Sequence, residues 1–312
     1  MSRDRIPVVL GLIFLVIALA GLWTPPWALF ILTIAFAKGL VALGLMLFLR
    51  AGLVSFGQAL YYCAGGYAAG ALGRYLGVSD IFLMMAAGAA AAGLLGFVLG
   101  FLLAKYRGIF FGLLSLALSM ILYGLLVKNE ALGSTDGFNI LPSTLFGVRP
   151  GLDWLRYFVA LSAAAVALGA AALVHRYLDT PLGRLAPAIK DNEIRVEYMG
   201  ASARYAIHVK YVIAAVLAGI GGALAATTVG HIDPDMAYWT TSGEFIFMAI
   251  LAGTGSVVAP FAGALIFGII HTTAYDLSPN TWQMFLGTSL LLLIVFLPEG
   301  LWSLFRRRKT AA

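Results

Sequence analysis

The residues that could do chemistry in this chain are few and far apart. His175, His208, His231 and His271 are scattered over different loops and helix ends, and no spacing among them offers a metal site. Asp233 and Asp235 flank Pro234, which reads as a turn. Ser55 and Ser115 lie in apolar runs with no His or Lys at helical spacing, so no activated hydroxyl is expected. No GxxxxGK[ST] phosphate loop is present, which excludes ATP binding by that device. Cys63, the single cysteine, sits in an apolar run and reads as a buried thiol. The pattern excludes an enzyme and leaves a pore, a carrier or a scaffold.

Three polar residues stand inside apolar stretches. Lys38 lies midway through one, and a charge inside a membrane segment is a functional candidate by default. It could draw an anionic group such as a carboxylate, or be held structurally by a helix C-terminus or by snorkelling. Gln58 could hydrogen-bond a substrate or a neighbouring helix. Glu244 precedes an apolar run, where a carboxylate would cap a helix N-terminus and could also gate a path.

The elements that must position these residues are membrane helices. Hydrophobic residues make up 62% of the 312 positions and charged residues 11%, where a soluble domain carries about a quarter charged. Apolar stretches at 8–23, 28–49, 82–104, 109–127, 157–174, 211–229 and 284–297 are each candidate spans. Residues 53–72, 245–258 and 261–274 are weaker: glycines or shortness interrupt them. The fold class expected is therefore all-α, a polytopic transmembrane bundle of about 8–10 spans, with some broken or re-entrant segments facing protein. The start, with Arg3, Arg5 and Ala18-Leu19-Ala20, resembles a signal peptide, but reads as a first span followed by Pro25-Pro26. With both termini in the cytoplasm, 15 of the 20 basic residues fall inside and Arg74, Lys128, Arg149 and Arg156 outside. The net charge of +6 thus follows topology, and no nucleic-acid partner is expected.

One domain, 1–312, is expected, with two excursions from the bilayer. Residues 128–156 form an outer loop, rich in turn residues at 134–142. Residues 176–210 form an inner loop holding ten of the 34 charged residues. There Asp179-Thr180-Pro181 reads as a cap followed by Pro at the first helical position. Leu185, Ile189 and Val196 share one helical stripe, Asp191 and Arg195 pair at i,i+4, and Gly200 ends the helix. A lipid-bound connector would carry a lysine-rich polar face. The mixed Asp191, Glu193, Arg195 and Glu197 suit docking on a soluble protein better.

The motifs GLVSFGQALYYCAGGYAAG (52–70), RGIFFGLLSLALSMILYGLL (107–126), TDGFNILP (135–142), TPLGRLAPAIKDNEIRVEYMG (180–200), LAGIGGAL (217–224), SGEFIFMAILAGTGSVVAPFAGALIFG (242–268) and FLPEGL (296–301) cover most of the chain. Together they resemble the M-type membrane permease subunit of bacterial ABC importers for branched-chain amino acids. The resemblance implies an inner-membrane protein that pairs with an H-type permease, two cytoplasmic ABC ATPases and a periplasmic substrate-binding protein. It implies no cofactor in this chain, with ATP and Mg bound by the ATPases. It makes Gly183, Arg184, Ile189, Asp191, Asn192, Glu193, Arg195, Glu197 and Gly200 the ATPase-docking element. Lys38, Ser55, Gln58, Gly65, Gly66 and Glu244 are the candidate pathway residues. Against the family pattern, Gln58 stands where His is usual, Ala252-Gly253 where Gly-Gly is usual, and Ala259 where a Gly precedes the proline. Lys38 replaces an apolar residue, which would suit a carboxylate-bearing substrate.

Overall fold

The computed structural model describes residues 6–148 and 151–277, with parts of 281–302. The expected span at 284–297 falls largely outside the described residues. So do Arg3, Arg5, Arg149 and the basic run 306–309.

Ten helices are described: α1 (Ile6–Ala20), α2 (Pro26–Arg50), α3 (Gln58–Leu76), α4 (Ile81–Leu103), α5 (Gly108–Val127), α6 (Leu152–Asp179), α7 (Pro181–Tyr198), α8 (Ala203–Val229), α9 (Trp239–Ala252) and α10 (Ala259–Leu277). Five of them, α2, α4, α5, α6 and α8, are long and apolar enough to cross a bilayer. The chain is a multi-pass helical membrane protein. Many outward-facing side chains are large and apolar, among them Leu94, Ile109, Leu113 and Leu173, which suits a lipid surround.

Helix α8 is the hub, packed between α2, α3 and α4. Its small residues make this possible. A Cβ on Gly222 would strike the carbonyl of Tyr62, and one on Gly65 would strike the backbone of Gly219. At these points the helices touch backbone to backbone, as small residues allow in bilayers. One helical turn or more away, Tyr211 on α8 accepts a 3.0 Å hydrogen bond from the Tyr61 hydroxyl, and its ring meets Phe48 at a tilt and Phe111 edge-on.

Two expected breaks are displaced along the chain. Gly65, Gly66 and Gly70 lie inside a continuous α3; the break comes earlier, at 51–57. There Gly52 takes φ +73°, and its bare Cα lies against the side chain of Lys190 from α7. The expected segment 245–258 is also displaced. Helix α9 starts six residues earlier and ends at Ala252, and residues 253–258 turn the chain into α10. Arg50, at the end of α2, grips that turn, donating from Nε and Nη2 to the Thr254 carbonyl at 3.0 and 2.7 Å.

At the opposite end, the loop expected at 128–156 contains short helical turns and a strand, β1 (Phe138–Asn139). This pairs antiparallel with β2 (His231–Ile232), just past α8. Asp80 caps α4 by accepting from Phe82 N at 3.0 Å and holds the loop by accepting from Phe146 N at 2.6 Å.

The hub sets a contrast in mutational tolerance. Gly222→Ala should destabilise the detergent-solubilised protein by about 1–3 kcal/mol through overpacking. Gly169→Ala in α6, whose added Cβ would meet nothing within 4 Å, should be neutral or stabilising by up to about 1 kcal/mol. Fluorescence-detected thermal melting of the two variants measures the difference.

Candidate functional site

Two clusters bring together the residues singled out in the sequence. The first is α7. Thr180 caps it, its Oγ1 accepting from Gly183 N at 3.2 Å, with Pro181 at the first position. Gly183, Ala186, Ile189 and Val196 are buried, and Leu185 is half-buried. Arg184, Asp191, Asn192, Arg195, Glu197 and Gly200 are exposed. Gly200 takes φ +83° after the helix end.

The helix is not continuous. Asn192 has φ −162° and ψ 98°, and its Oδ1 accepts from Arg195 N at 2.9 Å, capping a second short helix. The i,i+4 pairing expected of Asp191 and Arg195 is therefore not formed, because the helical register breaks between them. Beyond the kink Val196 keeps the buried stripe, and Ile194, Tyr198 and Met199 face outward, with exposures of 67%, 89% and 80%.

Glu193 faces inward to an unforeseen partner. Arg107, in the turn between α4 and α5, donates from Nε and Nη2 to the two carboxylate oxygens of Glu193, both at 2.7 Å. The same guanidinium donates from Nη1 to the carbonyls of Ala104 and Tyr106 at 2.7 and 2.8 Å. A planar fork with every oxygen matched fixes position as well as charge. A second tether comes from α8. Lys210 is fully buried and donates from Nζ to the Leu182 carbonyl at 3.0 Å, with the Tyr177 ring 5.9 Å away. Thus α7 is pinned to the bundle at both halves. A basic residue opening the RGIFFG motif was the available signal for Arg107; its partner, 86 positions away, was not readable.

The second cluster lies deep in the bundle. Lys38 Nζ is 3.0 Å from Glu244 Oε2. Glu244 is the sixth residue of α9, so it is not the N-terminal cap expected of it. Each unpaired charge at a bilayer centre costs about 2.5–3.5 kcal/mol on insertion scales, and pairing offsets that. Depth can be counted at 1.5 Å per residue. Lys38 is about 18 Å along α2 from Arg50, and His271 about 18 Å along α10 from Ala259. Arg50 and the start of α10 meet at the 253–258 turn, so both residues stand at the same mid-bundle level. His271 comes within electrostatic reach of Lys38 and Glu244.

The remaining candidates are separate from this pair. Gln58 opens α3 with no exposure, and neither its Oε1 nor its Nε2 has a hydrogen-bond partner among the described residues. The hydrogen bond to a neighbouring helix expected for it is absent. Ser55 Oγ accepts from Gly57 N at 3.3 Å. Ser115 Oγ accepts from Phe56 N at 3.0 Å and donates to the Gly112 carbonyl at 2.8 Å. Both serines shape the break before α3. Gly65 and Gly66 are buried packing positions against α8 and its following segment. Among the described residues no group of His, Cys, Asp and Glu could hold a metal ion.

An apolar multi-helix bundle, one charged helix pinned across one end and an internal ion pair define a helical membrane permease. The profile of the family described as "Branched-chain amino acid transport system / permease component" matches residues 27–296, and the chain belongs to that family. It is 28% identical over 273 residues to the high-affinity branched-chain amino acid transport system permease protein LivM of Escherichia coli (strain K12). It is 27% identical over the same length to the protein of that name from Salmonella typhimurium. Each match covers 80% of this chain and 64% of the relative. No solved structure matches the chain.

The Arg107–Glu193 fork should restrain the second half of α7. In Glu193→Gln, backbone amides of 193–200 should exchange about tenfold faster, matching about 1–2 kcal/mol for a partly exposed charge-assisted pair. Amides in the middle of α8 should not change. Hydrogen-exchange mass spectrometry reads both regions in one experiment.

Proposed function

We propose that the chain is the transmembrane permease subunit of an ATP-driven importer. Its substrate is a branched-chain amino acid or a related small carboxylate or amide. In this reading the chain forms a single permease domain in a bacterial inner membrane, with both termini cytoplasmic. An H-type permease completes the transmembrane pair, two cytoplasmic ABC ATPases bind ATP and Mg, and a periplasmic binding protein delivers substrate. The chain itself needs no cofactor and catalyses no reaction.

The observation that carries this reading is α7. It lies across one end of the bundle with its apolar face packed inward and a mixed-charge face outward. The outward face also bears Ile194, Tyr198 and Met199. A charged rim around an exposed apolar centre is what a protein interface needs, and a solvated connector needs neither. Gly183, Arg184, Ile189, Asp191, Asn192, Glu193, Arg195, Glu197 and Gly200 then divide by task. Gly183, Ile189 and Glu193 seat α7 on the bundle. Arg184, Asp191, Arg195 and Glu197 present charge to the ATPase. Asn192 makes the kink and Gly200 the exit.

The mechanism follows from the two tethers. ATPase closure displaces α7. Glu193 passes the load to the α4–α5 turn through Arg107, and Lys210 passes it to α8. Because α8 touches α3 and α4 backbone to backbone, α2, α3, α4, α7 and α8 move as one body. Alternating access is then rocking of that body against the partner permease. Delivered substrate shifts the balance only through its different affinity for the two packings.

A stand-alone secondary carrier is the rival, and the Lys38–Glu244 pair favours it, since ion-coupled carriers use intramembrane charges. Copurification separates the two. The tagged chain should bring down ATPase subunits, and the complex should hydrolyse ATP. Ile194→Asp combined with Tyr198→Asp should weaken ATPase retention at least tenfold while leaving the melting temperature unchanged. Transport by the chain alone in ATP-free liposomes would overturn the importer reading.

A further inference from the structure

We propose that the Lys38–Glu244 pair is the polar step of the translocation pathway, and that it takes a zwitterion by exchanging partners with it. This rests on the permease reading, and it names the chemical form of the cargo and the two groups that handle it.

The pair has three properties that purely structural ion pairs rarely combine. It lies at mid-bundle depth on two different helices, α2 and α9, with His271 of α10 within electrostatic reach. It is incompletely covered: the side chains keep 26% and 22% of their exposure. Charges at that depth do not face lipid, so the open side of the pair faces a partner surface or a water-filled path. Finally, it bridges α2 and α9 midway along helices that pack on each other, with α10, which carries His271, also packed on α2. Helices α9 and α10 meet at 253–258, and Arg50 of α2 holds that turn by Thr254.

A salt bridge is already satisfied, so a ligand must replace what it breaks. A carboxylate alone would take Lys38 and strand Glu244. An amine alone would take Glu244 and strand Lys38. A zwitterion replaces both halves: its carboxylate accepts from Lys38 Nζ and its ammonium donates to Glu244 Oε2. No net charge is left in the bilayer at any stage. The surroundings suit a small apolar side chain. The ring of Phe261 packs on Gly39 next to Lys38, with Phe36 at 6.0 Å from it, and Phe267 stacks near His271.

The test uses the assembled transporter in nanodiscs, with Cys63→Ala and a reporter Ile34→Cys one turn along α2 from Lys38. A charged methanethiosulfonate should label the reporter at least tenfold faster than a control at lipid-facing Leu113→Cys. L-leucine should slow that labelling. The carboxylate 4-methylpentanoate and the amine 3-methylbutylamine should be at least tenfold less effective at equal concentration. The doubly neutral Lys38→Met/Glu244→Leu variant strands no charge; its reporter should still label, without protection by L-leucine. Four results would each overturn the proposal: reporter labelling no faster than the control, no protection by L-leucine, equal protection by either half-molecule, or protection surviving in the neutral variant. An absent ATPase would appear in copurification instead, and would leave this labelling result standing.

Discussion

Helix α8 comes so close to α3 and α4 that backbone atoms meet across the gap, and every other feature of the bundle is arranged around that contact. Gly65 lies on Gly219, Gly222 lies on the carbonyl of Tyr62, and Gly88 lies on both Gly219 and Gly65. Lipid offers no hydrophobic drive for helices to associate, so attraction must come from contact itself. Dispersion falls off steeply with distance, and side chains larger than hydrogen at these points would hold the helices apart. The aromatic layer of Phe48, Phe111, Tyr61 and Tyr211 fills the space below the hub. A hub of this kind resists bending, which is why motion is better taken up at its borders: the turn at 253–258 and the surface facing a partner.

Charge is then placed where the hub needs connection to something outside itself. The described residues hold few ion pairs, and two of them bridge elements remote in sequence: Arg107 to Glu193 and Lys38 to Glu244. The first sits at the bundle end, where partial solvent access lowers the cost of holding charge. The second sits at depth, where each partner is obligatory to the other. In both, a basic residue of the bundle, Arg107 in the α4–α5 turn or Lys38 in α2, meets a carboxylate on an element that the transport reading requires to respond: α7 to the ATPase, α9 to cargo.

Helix existence was legible in the sequence because bilayer burial writes itself as long apolar runs. The segments 82–104 and 109–127 fall within a residue of α4 and α5. The cap and first turn of α7 were equally legible, since Thr180-Pro181 is local chemistry. What escaped was of two kinds. Gly65 and Gly66 are packing points inside a continuous helix, and which backbone each meets, as Gly65 meets Gly219, is not written in the local sequence. The partnerships Lys38–Glu244, Arg107–Glu193 and Lys210–Leu182 were invisible for the same reason. The pairing expected of Asp191 with Arg195 failed because a single extended residue, Asn192, breaks the helical register between them.

Coupled motion of α7 and the hub can be read directly as a distance. Nitroxide labels on Ala188→Cys in α7 and Leu76→Cys at the far end of α3, both exposed positions, with Cys63→Ala, report across the length of the body by pulsed electron paramagnetic resonance. In the assembled transporter the distance distribution should be the same without nucleotide and with ATP trapped. A shift of several ångströms between the two states would mean that α7 swings independently of the helices it is pinned to, and would contradict transmission through the Arg107–Glu193 and Lys210 tethers.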